Sequence, residues 1–186
     1  MKSSLIRDNI IETATHLFYK NGYNLTGINE VIKEAGIAKA TLYSHFKSKE
    51  DLCIAYLQYK NAAFVKEIAA FTSKAPRGND TLLSLFDFLS IFYNQNDFNG
   101  CWCVKTVAEI PHDNVKIRSE IQNQKLEFID FINELVIENT PLTSEESQGL
   151  AHQIYLLYEG AVAESHIHKA AWPIAAARAI CQRILE

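Results

Sequence analysis

The sequence predicts an all-α protein of about nine helices, with three short helices at the head and a larger helical body behind them. Three observations carry this. Apolar residues recur at helical spacing along nearly the whole chain. Only 7 Gly and 4 Pro occur in 186 residues, fewer turn residues than an all-β sandwich needs. The composition, 48% hydrophobic and 22% charged, suits a packed core rather than disorder.

Each element has its own signal. Ile6, Ile10, Ala14, Leu17 and Phe18 share one face of a first helix, and Asn21-Gly22 suits a left-handed cap at its end. Thr26 can cap a short second helix carrying Ile28, Val31, Ile32 and Ala35, closed by Gly36. A third element over residues 38–46 turns Leu42 and Phe46 inward. Ser48-Lys49-Glu50-Asp51 reads as a capping box opening a fourth helix that reaches about Phe71, since nothing interrupts it. Residues 75–79 are a linker. The fifth helix carries Leu82, Leu85, Phe86, Leu89, Phe92 and Tyr93, and residues 94–100 form a polar loop. A short sixth helix starts near Cys101 and stops before Pro111. The seventh runs from about Asp113 to Glu138, with Ile121, Phe128, Ile132 and Leu135 on its apolar side, until Asn139-Thr140-Pro141 breaks it. Thr143 or Ser144, followed by Glu145 and Glu146, opens an eighth helix to about His168. Trp172-Pro173 begins the ninth, with Ile174, Ala177, Ile180, Cys181 and Ile184.

The whole chain carries a formal charge of −4, but residues 1–60 hold 8 Lys and Arg against 6 Asp and Glu. A slightly basic head on an acidic body is a mild sign that the head meets a polyanion. Four Cys do not make a disulfide framework in a chain that reads as cytoplasmic. The charges among residues 1–8 stand where a signal peptide needs apolar residues, and no apolar run is long enough to span a membrane.

Three short helices followed by a long one, with a tight Gly turn between the second and third, is the grammar of a helix-turn-helix. Ala35 and Gly36 supply small residues where the second helix crosses the third. Ala38-Lys39-Ala40-Thr41 presents short or polar side chains, with Leu42 as an anchor behind. Tyr43, His45, Lys47 and Lys49 can donate hydrogen bonds to phosphate.

The run Gly22-Tyr23-Asn24-Leu25-Thr26, with Ile28, and the run from Ala35 to Leu52 closely resemble the N-terminal domain of TetR/AcrR-type transcriptional regulators. Leu42-Tyr43-x-His45-Phe46-x-Ser48-Lys49-Glu50 is the most specific part. The resemblance is strong over residues 5–55, and the remaining helix order agrees with the family. It implies a helix-turn-helix DNA-binding domain over residues 1–47 and a C-terminal ligand-binding and dimerisation domain over residues 48–186. It also implies a homodimer, built through the last two helices, that places its third helices on a palindromic operator of double-stranded DNA. Phosphate contacts are implied for Thr26, Gly27, Tyr43, His45 and Lys49. Lys39, Ala40 and Thr41 sit where members touch or flank bases, and Ser44 and Lys47 complete the set facing DNA. Ala40 departs from the Gly or Pro often found there, which leaves the base preference open. Gly27 departs from the usual Ser or Thr, which leaves only a backbone donor.

Other features read less sharply. The thiols of Cys101 and Cys103, two residues apart on a helix, diverge by about 200°. With no second Cys pair nearby they make no zinc site, and packing is the better reading, a redox-sensing thiol the minority one. His166 and His168 fail the spacing for chelation on one helix face and read as surface or interface residues. Phe64, Phe86, Phe92, Trp102, Phe128, Phe131, Tyr155 and Tyr158 lie on apolar faces and are mostly core. The chain has 20 aromatic residues (2 Trp, 8 Tyr, 10 Phe), and such residues also line ligand pockets. Glu109, Tyr155, Tyr158 and Glu159 could supply the polar groups of one. Phe86, Trp102 and Phe128 complete the candidate ligand site. The small residues of the last two helices, among them Gly160, Ala161, Ala175, Ala176 and Ala177, allow close helix approach.

The function expected from all this is a ligand-responsive regulator of transcription, in the family's usual mode a repressor released by a small apolar or aromatic effector. A thiol-sensing regulator using Cys101 or Cys103 is the alternative, and a helical protein-binding adaptor is the rival from another class. No nucleophile and base arrangement, phosphate-cradling loop or metal-ligand cluster marks an enzyme, so no cofactor or metal is expected.

Overall fold

The computed structural model describes residues 2–95 and 97–186. Among them the chain forms nine α-helices in order: α1 (Lys2–Asn21), α2 (Ile28–Glu34), α3 (Lys39–His45), α4 (Lys49–Thr72), α5 (Asn79–Tyr93), α6 (Trp102–Glu109), α7 (Val115–Asn139), α8 (Ser144–His168) and α9 (Trp172–Leu185). No strand occurs among the described residues.

The helix ends follow backbone chemistry. Gly22 closes α1 with φ +96° and returns its N–H to the Phe18 carbonyl at 3.0 Å. The second helix opens on Gly27, not on Thr26. A capping threonine must accept a backbone N–H through its oxygen, whereas the Thr26 hydroxyl is turned back as a donor to the carbonyls of Gly22 (2.8 Å) and Leu17 (3.2 Å). Gly36 is needed for its backbone, φ +66°, because a Cβ there would meet nothing within 4 Å. The small-residue contact expected at that glycine is therefore replaced by a left-handed turn. Ser48 accepts the Asp51 N–H at 3.0 Å and so opens α4 as expected. Thr143 and Glu146 form a complete capping box on α8, and Lys169 ends that helix in the left-handed region.

Two compact units result. The first gathers the chain up to Ala63 with Trp102–Asn123. Here α1 packs on α2 and α2 on α3. Ile10, Ala14, Phe18, Val31, Leu42, Phe46, Leu52 and Tyr56 are buried. Ile6, expected on the same face, is 37% exposed. Glu50 at the start of α4 accepts from Asn114 (2.8 Å) and Lys116 (3.1 Å), which ties the α7 entry to this unit.

The second unit is Phe64–Cys101 with Gln124–Glu186. Helix α8 packs on α9, and both pack on α5. Its core joins Ile68, Leu82, Leu85, Phe86 and Leu89 to Phe128, Ile132, Ile154, Tyr158, Ile174 and Cys181. Each such side chain, fully buried, contributes about 1.5–3 kcal/mol, so this cluster dominates the unit's stability. Arg178 donates to Asp87 at 2.8 Å, linking α9 to α5 at the rim. The division between units falls inside α4 and α7, so both helices supply residues to each unit. Among the described residues no helix is long and apolar enough to cross a membrane.

Candidate functional site

Helix α3 is held by its buried side and shows chemistry on the other. Leu42 is fully buried and Phe46 nearly so, which fixes the helix on the first unit. Lys39, Ala40, Tyr43, Ser44 and Lys47 are exposed, while Thr41 and His45 are half-buried. The Ser44 hydroxyl donates to the Thr41 carbonyl at 2.7 Å, so its oxygen stays outward as an acceptor. The result is a short helix that shows one cation, a phenol and small side chains, with Lys47 exposed just past its end, dimensions suited to a major groove.

The flanks of α3 differ from one another. Thr26, among the residues implied to meet phosphate, is fully buried with its hydroxyl engaged. Its side chain cannot reach a phosphate, and the exposed Gly27 leaves a backbone donor in its place. Lys49 is half-buried, its ammonium 4.4 Å from the Tyr23 ring centroid and 3.4 Å from the Asn24 carbonyl. Burial lowers the Lys49 pKa and pushes the Tyr23 phenol up to about 12. Arg7 was not singled out by sequence, yet it sits 5.1 Å from the Phe46 ring centroid. Arg7, His45, Lys47 and Asp51 line a groove of about 430 Å³ beside the end of α3. No periodic signal marks Arg7, because its placement depends on where the N-terminal turn of α1 passes α3.

Behind α3, Glu109 at the end of α6 holds the turn after α1. Its carboxylate accepts the Asn24 N–H at 2.6 Å, and the Asn24 amide donates to the Glu109 carbonyl at 2.7 Å. A Cβ on Gly22 would collide with that carboxylate. The Lys105 ammonium donates to the Tyr19 carbonyl at 2.8 Å, adding a second tie between α6 and α1. Glu109 was expected to be a polar group of a ligand site; the structure engages it in the helix-turn-helix unit instead. Trp102 also lies in this first unit, 5.5 Å from the Lys60 ammonium.

The remaining candidates for a ligand site come together in the second unit. The Tyr158 ring lies 5.1 Å from Phe128, 6.1 Å from Phe86 and 6.4 Å from Phe64. Tyr155 meets Phe128 edge-on at 6.2 Å. Such edge-to-face pairs add about 0.5–1.5 kcal/mol each beyond burial. Glu159 accepts from Lys125 at 2.6 Å, with both side chains about one-fifth exposed. Lys125 also donates to the Cys101 sulfur at 3.2 Å. The sequence pattern gave no hint of Lys125, a polar position on a long helix whose partners lie on other elements. Cys103 is buried, and no disulfide forms among the four cysteines. Among the described residues no group of three or more His, Cys, Asp or Glu is placed to hold a metal ion.

The described residues thus form an all-helical fold in which a short exposed helix is set over buried anchors, the arrangement of a helix-turn-helix. Comparison with known proteins makes that reading specific. Residues 10–56 match the family model of bacterial regulatory proteins, tetR family. The chain is 26% identical to the HTH-type transcriptional repressor NemR of Escherichia coli, over 96% of this chain and 93% of that one. It is 23% identical to the fatty acid metabolism regulator protein of Bacillus subtilis, over 76% of this chain and 71% of that one. The crystal structure of reduced E. coli NemR superposes with a TM-score of 0.80 at 25% identity, covering 97% of each chain. SCO4454, a TetR-family regulator from Streptomyces coelicolor, shares the fold with a TM-score of 0.86 at 23% identity, covering 98% of this chain and 96% of that one. Residues 10–56 thus carry the DNA-binding domain of the tetR family of bacterial regulatory proteins, and the chain has the fold of TetR-family regulators.

Proposed function

We propose that this regulator is a cytoplasmic repressor that binds a palindromic operator as a homodimer and is released by a small apolar or aromatic effector. The exposed row Lys39, Ala40, Tyr43, Ser44 and Lys47, set over the buried Leu42 and Phe46, is the observation that carries the DNA reading. Residues 1–47, with Lys49 just beyond them, supply the DNA contacts, and the rest of residues 48–186 the effector site and the dimer interface. In the dimer, α8 and α9 of each copy meet. Leu156 and Ile167 on α8, with Ile180 and Ile184 on α9, are apolar and exposed in the single chain. The cluster of Phe86, Phe128, Tyr155 and Tyr158 forms the effector site. An effector that prefers a second packing of those rings shifts the population of dimers away from the spacing that fits DNA; equal affinity for both packings would shift nothing. The test is salt-titrated anisotropy with DNA from upstream of the protein's own reading frame. Specific binding whose logarithm falls linearly with log salt supports the reading, and a dimer that binds DNA without specificity or salt dependence refutes it.

A second reading has one observation in its favour. The Lys125 ammonium donates to the Cys101 sulfur at 3.2 Å, and Cys101 is the less buried of the two candidate thiols, so it is the one suited to sensing. Its thiolate would attack hydrogen peroxide, forming the sulfenic acid and releasing hydroxide, which takes up a proton to become water. Peroxide should then release operator DNA from the wild type and from Cys103→Ser, and leave Cys101→Ser bound.

A further inference from the structure

Tyr158 is buried among rings, and its hydroxyl has no hydrogen-bond partner. Four other buried polar atoms among the described residues share that condition: Thr15 Oγ1, Arg118 Nε, Asn133 Oδ1 and Ser147 Oγ. The Thr15 and Ser147 hydroxyls stand on helices and can turn by one rotamer to a carbonyl of the preceding turn. Arg118 and Asn133 have further polar atoms on the same side chain. The phenol of Tyr158 has neither escape, because its oxygen is fixed by a ring wedged against Phe64, Phe86 and Phe128. An unmet donor in such a place is a standing cost, recovered when something brings an acceptor.

The charges nearby say what kind of molecule that is. Lys125 and Glu159 neutralise one another at 2.6 Å, and Lys125 further donates to Cys101. An anionic ligand would face the Glu159 carboxylate, and a cationic one would face Lys125. Burial, with Glu159 and Cys101 close by, holds the Tyr158 pKa far above that of an ordinary phenol, so the group stays a proton donor across the physiological range.

We propose that Tyr158 is the specificity residue of this cluster, selecting a neutral aromatic ligand that carries a hydrogen-bond acceptor, such as an aryl carbonyl compound. The proposal rests on the effector-site reading above. A site built to donate a hydrogen bond discriminates strongly against an analogue of the same shape that cannot accept one.

The test uses acetophenone and α-methylstyrene, which share a shape and differ in C=O against C=CH2, with benzoate as the charged counterpart. Affinities are measured by calorimetry on the full-length dimer and on Tyr158→Phe. The ratio of acetophenone to α-methylstyrene affinity is expected to be about tenfold higher in the wild type than in Tyr158→Phe, a variant that should melt no lower than the wild type. Benzoate should bind the wild type at least about tenfold more weakly than acetophenone. An unchanged ratio, with both neutral probes binding, would overturn the role of Tyr158 and leave the effector site standing. No binding of either neutral probe at its solubility limit would overturn the effector site itself. Benzoate binding more tightly than acetophenone would overturn the argument from charge balance. A Tyr158→Phe protein that fails to fold would show a structural partner for the hydroxyl, and so count against the proposal.

Discussion

Glu109 and Asn24 clasp each other twice. The Glu109 carboxylate accepts the Asn24 N–H at 2.6 Å, and the Asn24 side-chain amide donates to the Glu109 carbonyl at 2.7 Å. These residues are 85 positions apart in sequence, yet the pair fixes the turn that leads into α2. Glu109→Ala should lower stability by about 1–2 kcal/mol, read by urea unfolding, because the Asn24 N–H loses a charged acceptor. Gly22→Ala tests the same clasp from the other side. It places a side chain at φ +96°, costing about 1–2 kcal/mol, and drives it into the carboxylate. Equal stability of both variants and the wild type would show that the clasp contributes nothing.

The roles proposed for α3 and for Lys47 just past its end predict two kinds of DNA-binding variant. Lys47→Ala removes an exposed cation and should weaken binding to all sequences, lowering the salt slope by about 1. Thr41→Ala or Lys39→Ala should change the preferred operator instead. Lys49→Ala should also lower the melting temperature, since its ammonium lies on the Tyr23 ring. Selection from a randomised operator library, repeated at several salt concentrations, separates these outcomes.

Thiol reactivity should follow burial. Burial pushes the pKa of Cys53 up to about 12 and that of Cys181 to about 11, leaving almost no thiolate at neutral pH. A maleimide at pH 7.5 should label Cys101 first in the native protein. Cys53 and Cys181 should react only once the protein unfolds, as peptide mass spectrometry would show. Early labelling of Cys53 would contradict the packing of α4.

The capping box of α8 has a pH signature. Two hydrogen bonds from Thr143, from its hydroxyl and from its backbone N–H, hold the Glu146 pKa below the ordinary 4.5. A carboxyl depressed in the folded state stabilises above its unfolded value, and that contribution fades as the pH falls through the folded one. Thr143→Ala should therefore lower the melting temperature by about 2–4 °C at pH 7, and by less near pH 3. An equal loss at both pH values would exclude a contribution from ionised Glu146.

The proposed dimer interface is tested at the apolar residues assigned to it. Ile180→Glu places a charge on the exposed apolar face of α9 and should yield monomers at micromolar concentration in sedimentation, with operator affinity falling accordingly. A dimer of unchanged stability would move the interface elsewhere.

The helix order was legible because a 3.6-residue period and clear breakers mark each element, down to the Thr143 cap and the Gly22 stop. Where legibility failed, the cause was chemistry that spacing does not carry. Thr26 has the right type for a cap, but its hydroxyl works as a donor to a carbonyl four residues back. Phe86, Phe128, Tyr155 and Tyr158 could be grouped from their apolar faces, whereas Trp102 and Glu109 could not be separated from them. Periodicity shows which side of a helix is apolar and is silent on which unit that side joins. Lys125 was invisible for the same reason, since its partners Glu159 and Cys101 come from elsewhere in the chain.

The first unit needs Trp102–Asn123 as well as the chain up to Ala63. The DNA-reading head is thus no cassette that recombination can cut at a single crossover. A chimera that replaces only residues 1–47 keeps a Glu109 and a Lys105 chosen for another turn and another α1. Grafting a new operator preference onto this protein will therefore work in one of two ways: by changing the exposed side chains of α3 in place, or by carrying residues 102–123 across together with the head.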